Sequence, residues 1–339
     1  MDAGAACVAV AGHCCLDLFP TALEGRVAPG RLVGVGPALF SPGGSVCNTG
    51  IALHRLATPV RLFGKVGPDQ FGDNLLELVR RNGPELARDF LTSKRRATSY
   101  SIVLQPPAAD RCFLHHEGAN ATYKRANLDF EKMRNVRILH FGYPPLMLHI
   151  FSGDDDLVEI FQEAHRRDML TTLDMSLPDV HSDGAQIDWA AWLLRHLPHC
   201  DVFLPSQDEL LWFLRETDGC ADVDCAMDWC LSAGAKCVVV KCGTDGMRMK
   251  LKAEPGRVYK HAAFRVDNVK GTTGSGDASV AGFLTILLDD PKPSQRHLEF
   301  ACAVGACCVE ALDATSGIPE RQIVEERIRK WKNGSDSDI

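Results

Sequence analysis

The sequence predicts an α/β fold on a mostly parallel sheet. Two observations carry this: short Val-, Ile- and Leu-rich runs recur along the chain, and segments with apolar residues at helical spacing lie between them. The chain has 339 residues, and no linker-like stretch divides it.

The strand runs are Cys7 to Ala11, Val60 to Phe63, Ile138 to Phe141, Asp201 to Leu204 and Cys237 to Lys241. Asn74 to Arg81, Leu157 to His165 and Gln207 to Leu214 carry the helical periodicity, with polar residues on the opposite side, so helices are expected on both sheet faces. Tyr100 to Leu104 and Arg111 to His115 are separated by the turn-like PPAAD, which predicts a hairpin and a small β lid instead of another crossover. The polar tail KNGSDSDI, 332–339, is expected to be flexible.

Composition narrows the function. Lys and Arg total 37 against 44 Asp and Glu, a formal net charge of -7, so the positive field of a nucleic-acid binder is missing and a small-molecule partner fits better. The opening MDAGAACVAVAGH has no basic region before its short apolar run, and no run of about 18 apolar residues occurs, so the expectation is a cytoplasmic protein with no membrane partner. Of 14 cysteines no two stand three apart, which removes the zinc-ribbon spacing. Cys220, Cys225 and Cys230 recur every five residues, a step of about 140° on a helix, and are expected to be packing residues. His115 and His116 belong to no metal motif and are expected at the surface.

The strongest local signal is GTTGSGD, Gly271 to Asp277, followed by ASVAGFLTILLDD. Val280, Phe283, Leu284, Leu287 and Leu288 form one stripe, so an amphipathic helix is expected straight after the glycines. Gly274 and Gly276 let N–H groups at that helix start converge on an anion such as phosphate. Asp277 beside such a site can take a proton from an attacking hydroxyl. The local alternative is a turn whose Asp caps the helix. There is no GxxxxGK[ST], and the spacing does not fit GxGxxG. PGGSVCN, Pro42 to Asn48, opens another helical pattern; GKVGPDQFG follows, and Asp17 lies just beyond the first strand and Gly12.

Taken together, GGSVCNTGIALHRL, GKVGPDQFG and GTTGSGDASVAGF, with RCFLHHEGAN, DVFLPSQDEL and VVVKCGTDG between them, resemble the ribokinase-like, or PfkB, family of carbohydrate kinases over roughly residues 7 to 320. The resemblance implies a three-layer αβα domain over 5–331, with lid segments near 14–42 and 97–120. It implies ATP-dependent phosphorylation of a hydroxyl on a small sugar-like substrate, with Asp277 as general base and the amides of Gly274, Ser275 and Gly276 as anion hole. Asp17, Gly43, Gly44 and Asn48 would bind substrate, with Arg111 and Asn120 from the lid. Lys241, Gly243 and Gly246 would lie near ATP, and Ser206 and Glu209 occupy the family's NxxE segment, where the Glu organises Mg2+ through water.

Two departures stand out. Ser206 replaces the family Asn, and Gly271 stands where many relatives carry an Asp that helps hold a monovalent cation, which weakens any expectation of potassium dependence. A homodimer through the lid is a further implication. Lys65, Arg111, Lys124 and Arg125 are candidates for a sugar-phosphate site or for solvated surface. A nucleoside kinase is the alternative enzyme, disfavoured by 7% aromatic content; a catalytically silent sugar or nucleotide sensor is the alternative of another class.

Overall fold

Parallel strands buried on both faces need helices on both sides. The computed structural model describes residues 5–23, 27, 29–104, 112–153, 155–217, 220 and 222–332. The first part of the chain forms β1 (Cys7–Gly12), β2 (Cys15–Pro20), β3 (Ala38–Gly43), α1 (Gly44–Arg55), β4 (Val60–Phe63), β5 (Lys65–Val66), α2 (Gln70–Asn82) and β6 (Leu91–Thr92). There follow β7 (Tyr100–Leu104), β8 (Cys112–His116), β9 (Val136–Gly142), α3 (Leu148–Phe151), α4 (Asp156–Arg166), β10 (Leu170–Asp174), α5 (Trp189–His196), β11 (Val202–Phe203) and α6 (Gln207–Phe213). The last part comprises α7 (Val223–Ser232), β12 (Cys237–Lys241), β13 (Met247–Leu251), β14 (Tyr259–His261), α8 (Ser275–Asp289), α9 (Gln295–Cys308) and α10 (Arg321–Lys332).

The main sheet has eight strands in the order β14-β13-β12-β11-β10-β9-β1-β4. Pairing is parallel from β4 through β12 and antiparallel at β13 and β14. Alternation along β1 shows how three layers arise. Val8 and Val10 point into a core with α1, α2, α8, α9 and α10, while Ala9 and Ala11 point into a second core with α3 to α7. The five strand runs fall where expected, as β1, β4, β9, β11 and β12; β10, β13 and β14 were not foreseen.

The α8 helix corrects an expectation. It is no amphipathic surface helix: Asp277, Ala278 and every residue from Val280 to Leu287 are buried. The small residues between the large ones explain this, because a Cβ on Gly282 would come within 2.9 Å of Ala301 Cα on α9. The cysteine expectation holds for Cys220 and Cys230, which are buried, and fails for Cys225, which is exposed with its thiol on Asp222.

A second sheet of four strands, in the order β3-β2-β7-β8, stands beside the main one. The expected hairpin strands are β7 and β8, paired antiparallel, with the intervening PPAAD outside the described residues, as are Arg111 and 333–339. The β3 strand runs straight into α1 through Gly43 and Gly44. Gly44 has φ +77°, and a Cβ there would lie 2.5 Å from His13 Nδ1 and 2.8 Å from the His13 carbonyl. Gly44→Ala is therefore expected to lower the unfolding free energy by more than about 1 kcal/mol, read from urea denaturation; an unchanged midpoint would show that this junction has room to relax.

Candidate active site

Parallel strands deliver their C-terminal ends to one edge of the sheet, where open α/β folds bind ligands. Here that edge collects His13 after β1, Tyr143 after β9, Asp174 at the end of β10, Ser206 after β11 and Lys241 at the end of β12. The α8 N-terminus arrives at the same place, with Gly274 in the left-handed conformation (φ 76°, ψ 0°) as its cap.

Asp277 lies in the first turn of α8 and is 3% exposed. Asn48 Nδ2 donates to its Oδ2 at 3.0 Å and Thr49 Oγ1 to its Oδ1 at 3.3 Å, so α1 clamps the carboxylate. The Tyr143 hydroxyl donates to both oxygens, at 2.9 and 2.8 Å. Burial raises the Asp277 pKa, opposed by Lys241 and by these donors, which makes it a better base than an exposed carboxylate. The Ser275 amide bonds to the Thr272 carbonyl at 3.3 Å and tightens the turn.

Lys241 is the electrostatic hub. Its Nζ meets Asp174 Oδ1 at 2.6 Å, with both side chains nearly out of water. A Cβ on Gly276 would stand 3.7 Å from the same Nζ, which locates the ammonium at the start of α8. Burial pushes Asp174 up to about 7 against the pull of Lys241, and Glu209 is raised for the same reason. Lys241 itself, which burial would lower, is held protonated by Asp174, Glu209 and Asp277. Ser206 and Glu209 form a reciprocal cap of α6: the carboxylate accepts from Ser206 N at 2.7 Å and Ser206 Oγ accepts from Glu209 N at 3.3 Å. The departure from Asn thus retains a side chain that can cap.

On the other side, Asp17 and Gly43 face one another, and a Cβ on Gly43 would fall 2.2 Å from Asp17 Oδ2. Burial lifts Asp17 to about 6, offset by donors on Cys15 and Ser101. His115 and His116 are exposed, as expected, and the His115 ring reaches toward this site: its Nδ1 is 3.0 Å from Ser101 Oγ and its Nε2 3.4 Å from His13 Nε2. Both polar atoms of Asn120, expected at substrate, are instead engaged with the Cys14 backbone at 2.8 and 3.3 Å, so it ties the lid to the β1–β2 link. Lys65 is no part of a sugar-phosphate cluster, since its Nζ donates to Thr122 O and Asn127 Oδ1.

A cleft of about 480 Å³ opens beside Lys241, Gly243, Gly246 and Gly276, with Phe264 and Val266 on its apolar wall. Its size suits a nucleotide-scale ligand. Sequence reasoning missed Tyr143, Thr49, Asp174 and His13. Asp174 had a signal: the β-prone LTTLD follows a helix and precedes the β11 run, where alternation calls for a strand.

Solved structures share the fold. The fold is that of an Arabidopsis thaliana ribokinase complexed with ribose and ATP, TM-score 0.78 at 19% identity, covering 96% of this chain and 99% of that one. It is also that of a Xylella fastidiosa fructokinase with bound ATP, TM-score 0.76 at 20% identity, with coverage of 96% and 99%. Residues 5–321 match the pfkB family of carbohydrate kinases, and the chain belongs to that family. Among curated relatives, probable fructokinase-5 of Arabidopsis thaliana is 27% identical over 298 residues, 83% of this chain and 86% of that protein. Fructokinase-2 of Oryza sativa subsp. japonica is 26% identical over 332 residues, 95% and 94%.

Replacing Lys241 with Met leaves the Asp174 carboxylate buried without its counter-ion. The expected loss is about 3–5 kcal/mol of unfolding free energy at pH 8, shrinking toward pH 5 as the raised carboxyls take up protons. Urea denaturation at both pH values checks this; an equal deficit at both would rule out the charge as the cause.

Proposed function

We propose that this protein transfers the γ-phosphoryl group of ATP to a hydroxyl of a small sugar, with D-fructose as the leading substrate. The observation that carries the reading is the Asp277 carboxylate, buried and clamped by Asn48 and Thr49 at the glycine-capped start of α8. The fructokinase names of the relatives support the substrate. Asp17, Gly43, Gly44 and Asn48 hold and orient the sugar, with 14–42 and 97–120 as lid segments of one kinase domain over 5–331. ATP lies in the cleft at Lys241, Gly243 and Gly246, and the amides of Gly274 and Gly276 with the Lys241 ammonium receive the transferring phosphoryl group, the Ser275 amide being turned to the Thr272 carbonyl. Asp277 takes the proton of the attacking hydroxyl at a carboxylate oxygen, and the lid strands that carry Asp17 and His115 exclude water from the sugar side.

Magnesium suits the residues present. Asp174 Oδ2 is buried and lacks a partner, and Glu209 lies within the same field of charge. Hard oxygen donors of this kind hold Mg2+ through its waters. Asp174 and Glu209 would hold it, and it would supply charge neutralisation at the ATP phosphates. Among the described residues no cluster of three His, Cys, Asp or Glu side chains could hold a metal, so nucleotide oxygens would complete its shell. Among the same residues no helix is long and apolar enough to cross a membrane. Among the described residues the cysteines form no disulfide, which supports the reducing cytoplasm as the compartment.

Exposed apolar residues on both faces of the four-stranded sheet, Leu39 and Phe113 on one and Phe40 and Leu114 on the other, support a homodimer through the lid. Light scattering should read about 74 kDa, twice the chain mass of 37.1 kDa; a monomer mass at micromolar concentration would overturn it.

Coupled measurement of ADP release from Mg-ATP, with fructose, other hexoses, pentoses, sugar acids and nucleosides, tests the activity. Fructose should stimulate release, and Asp277→Asn should lower turnover about 10² to 10⁴-fold with ATP binding retained. Stimulation by a nucleoside alone would replace the substrate, and no stimulation by any acceptor, with ATP bound, would favour a silent sensor.

A further inference from the structure

Tyr143 is the one donor to Asp277 that the proposed reaction leaves without a task. Asn48 and Thr49 each donate to a single carboxylate oxygen, whereas the phenol shares its proton between both, at 2.8 and 2.9 Å. That position, astride the two oxygens, is one an acceptor hydroxyl needs to occupy before giving up its proton to the base.

The backbone that delivers this hydroxyl is strained. Tyr143 has φ 64° and ψ 46°, a conformation that costs a non-glycine residue stability, and it precedes Pro144, which further disfavours helical dihedrals. The loop is nonetheless pinned. Tyr143 N donates to the Asp174 carbonyl and its own carbonyl accepts from Leu146 N, both at 3.1 Å, with Pro144 and Pro145 between. Strain kept by so many constraints at a position that hands one hydroxyl to the base is a feature of the site. The phenol stays protonated, because burial and the nearby carboxylates push its pKa up, so it acts as a donor.

We propose that Tyr143 is a placeholder for the sugar hydroxyl. Resting on Asp277 as the base, the inference is that the phenol O–H occupies the acceptor position when no sugar is bound and keeps water from being activated against ATP. An arriving sugar hydroxyl displaces it, so the same contact that protects ATP competes with the substrate. Tyr143 is a positioning residue in this scheme: it transfers neither proton nor phosphoryl group.

The test is Tyr143→Phe, which removes only the oxygen, with Tyr143→Ser as a second variant whose hydroxyl is too short to reach. For each, ADP release from Mg-ATP is measured without sugar and with D-fructose. The ratio of sugar-free hydrolysis to fructose phosphorylation should rise about tenfold, the effect of losing one charge-assisted hydrogen bond, and KM for fructose should fall. The acid limb of kcat/KM should move to higher pH, because Asp277 loses a donor that favours its ionised form. A purely structural tyrosine would lower both activities together and leave their ratio and the acid limb in place, and that result overturns the placeholder. If wild type releases no ADP with any sugar, the proposed activity fails instead, and the placeholder is judged on sugar-free hydrolysis alone, where no rise in either variant overturns it.

Discussion

Three carboxylates, two of them buried and one partly so, share one ammonium, and the site is built around that shortage of positive charge. Asp174, Glu209 and Asp277 all lie in the field of Lys241, and burial raises the pKa of each. Taking so many charges out of water is costly, and one ion pair at 2.6 Å does not offset it. The arrangement persists because the four groups come from β10, α6, β12 and α8, elements fixed by two large cores on opposite faces of the sheet. The stability of the body holds a site that is itself electrostatically unfavourable, as a binding site for a cation and an anionic nucleotide must be.

What was legible in the sequence was local. In GTTGSGD the glycines, the acid and the start of the apolar run are neighbours, so the cap, the base and the helix could be read together. The same local reading misjudged α8: counting large apolar residues gave a stripe, while Ala278, Ala281, Gly282 and Thr285 on its other side are what allow α9 and α1 to close on it. Tyr143 carries no comparable local sign, and the LTTLD run marks a strand at Asp174 without marking a role for the acid. Each ends a buried strand and acquires its role only because parallel pairing sets β9 beside β10, with Asp174 opposite Gly142. Topology supplies that juxtaposition.

The lid shows the same limit from another direction. Its strands come from two stretches far apart in the chain, and register alone creates a polar row across it. Asp17 lies opposite Ser41 on one side and Ser101 on the other, and Ser101 lies opposite His115. Because side chains alternate, this row shares a face with the apolar row Leu39, Phe19, Val103 and Phe113. His115 is exposed, as the strand viewed alone suggests. Placed at the end of the row that begins at Ser41, it belongs to the substrate side.

That row is mechanically joined to the base. The chain passes from β3 through Gly43 and Gly44 directly into α1, and α1 carries Asn48 and Thr49, the two donors that clamp Asp277. Any displacement of β3 has to be absorbed at this two-residue junction or passed on to the helix. Gly44 is hemmed in by His13 and Gly43 by Asp17, so the junction offers little slack. The helix in turn is held by its buried face, which includes Val46, Ile51 and Leu53 in the core shared with α8. A sugar gripped by Asp17 therefore bears on the same short segment that sets the distance between Asn48 and the base. Positioning of the substrate and positioning of Asp277 are thus coupled through covalent continuity, which is how a small β sheet without a core of its own can bear on the alignment of a buried carboxylate.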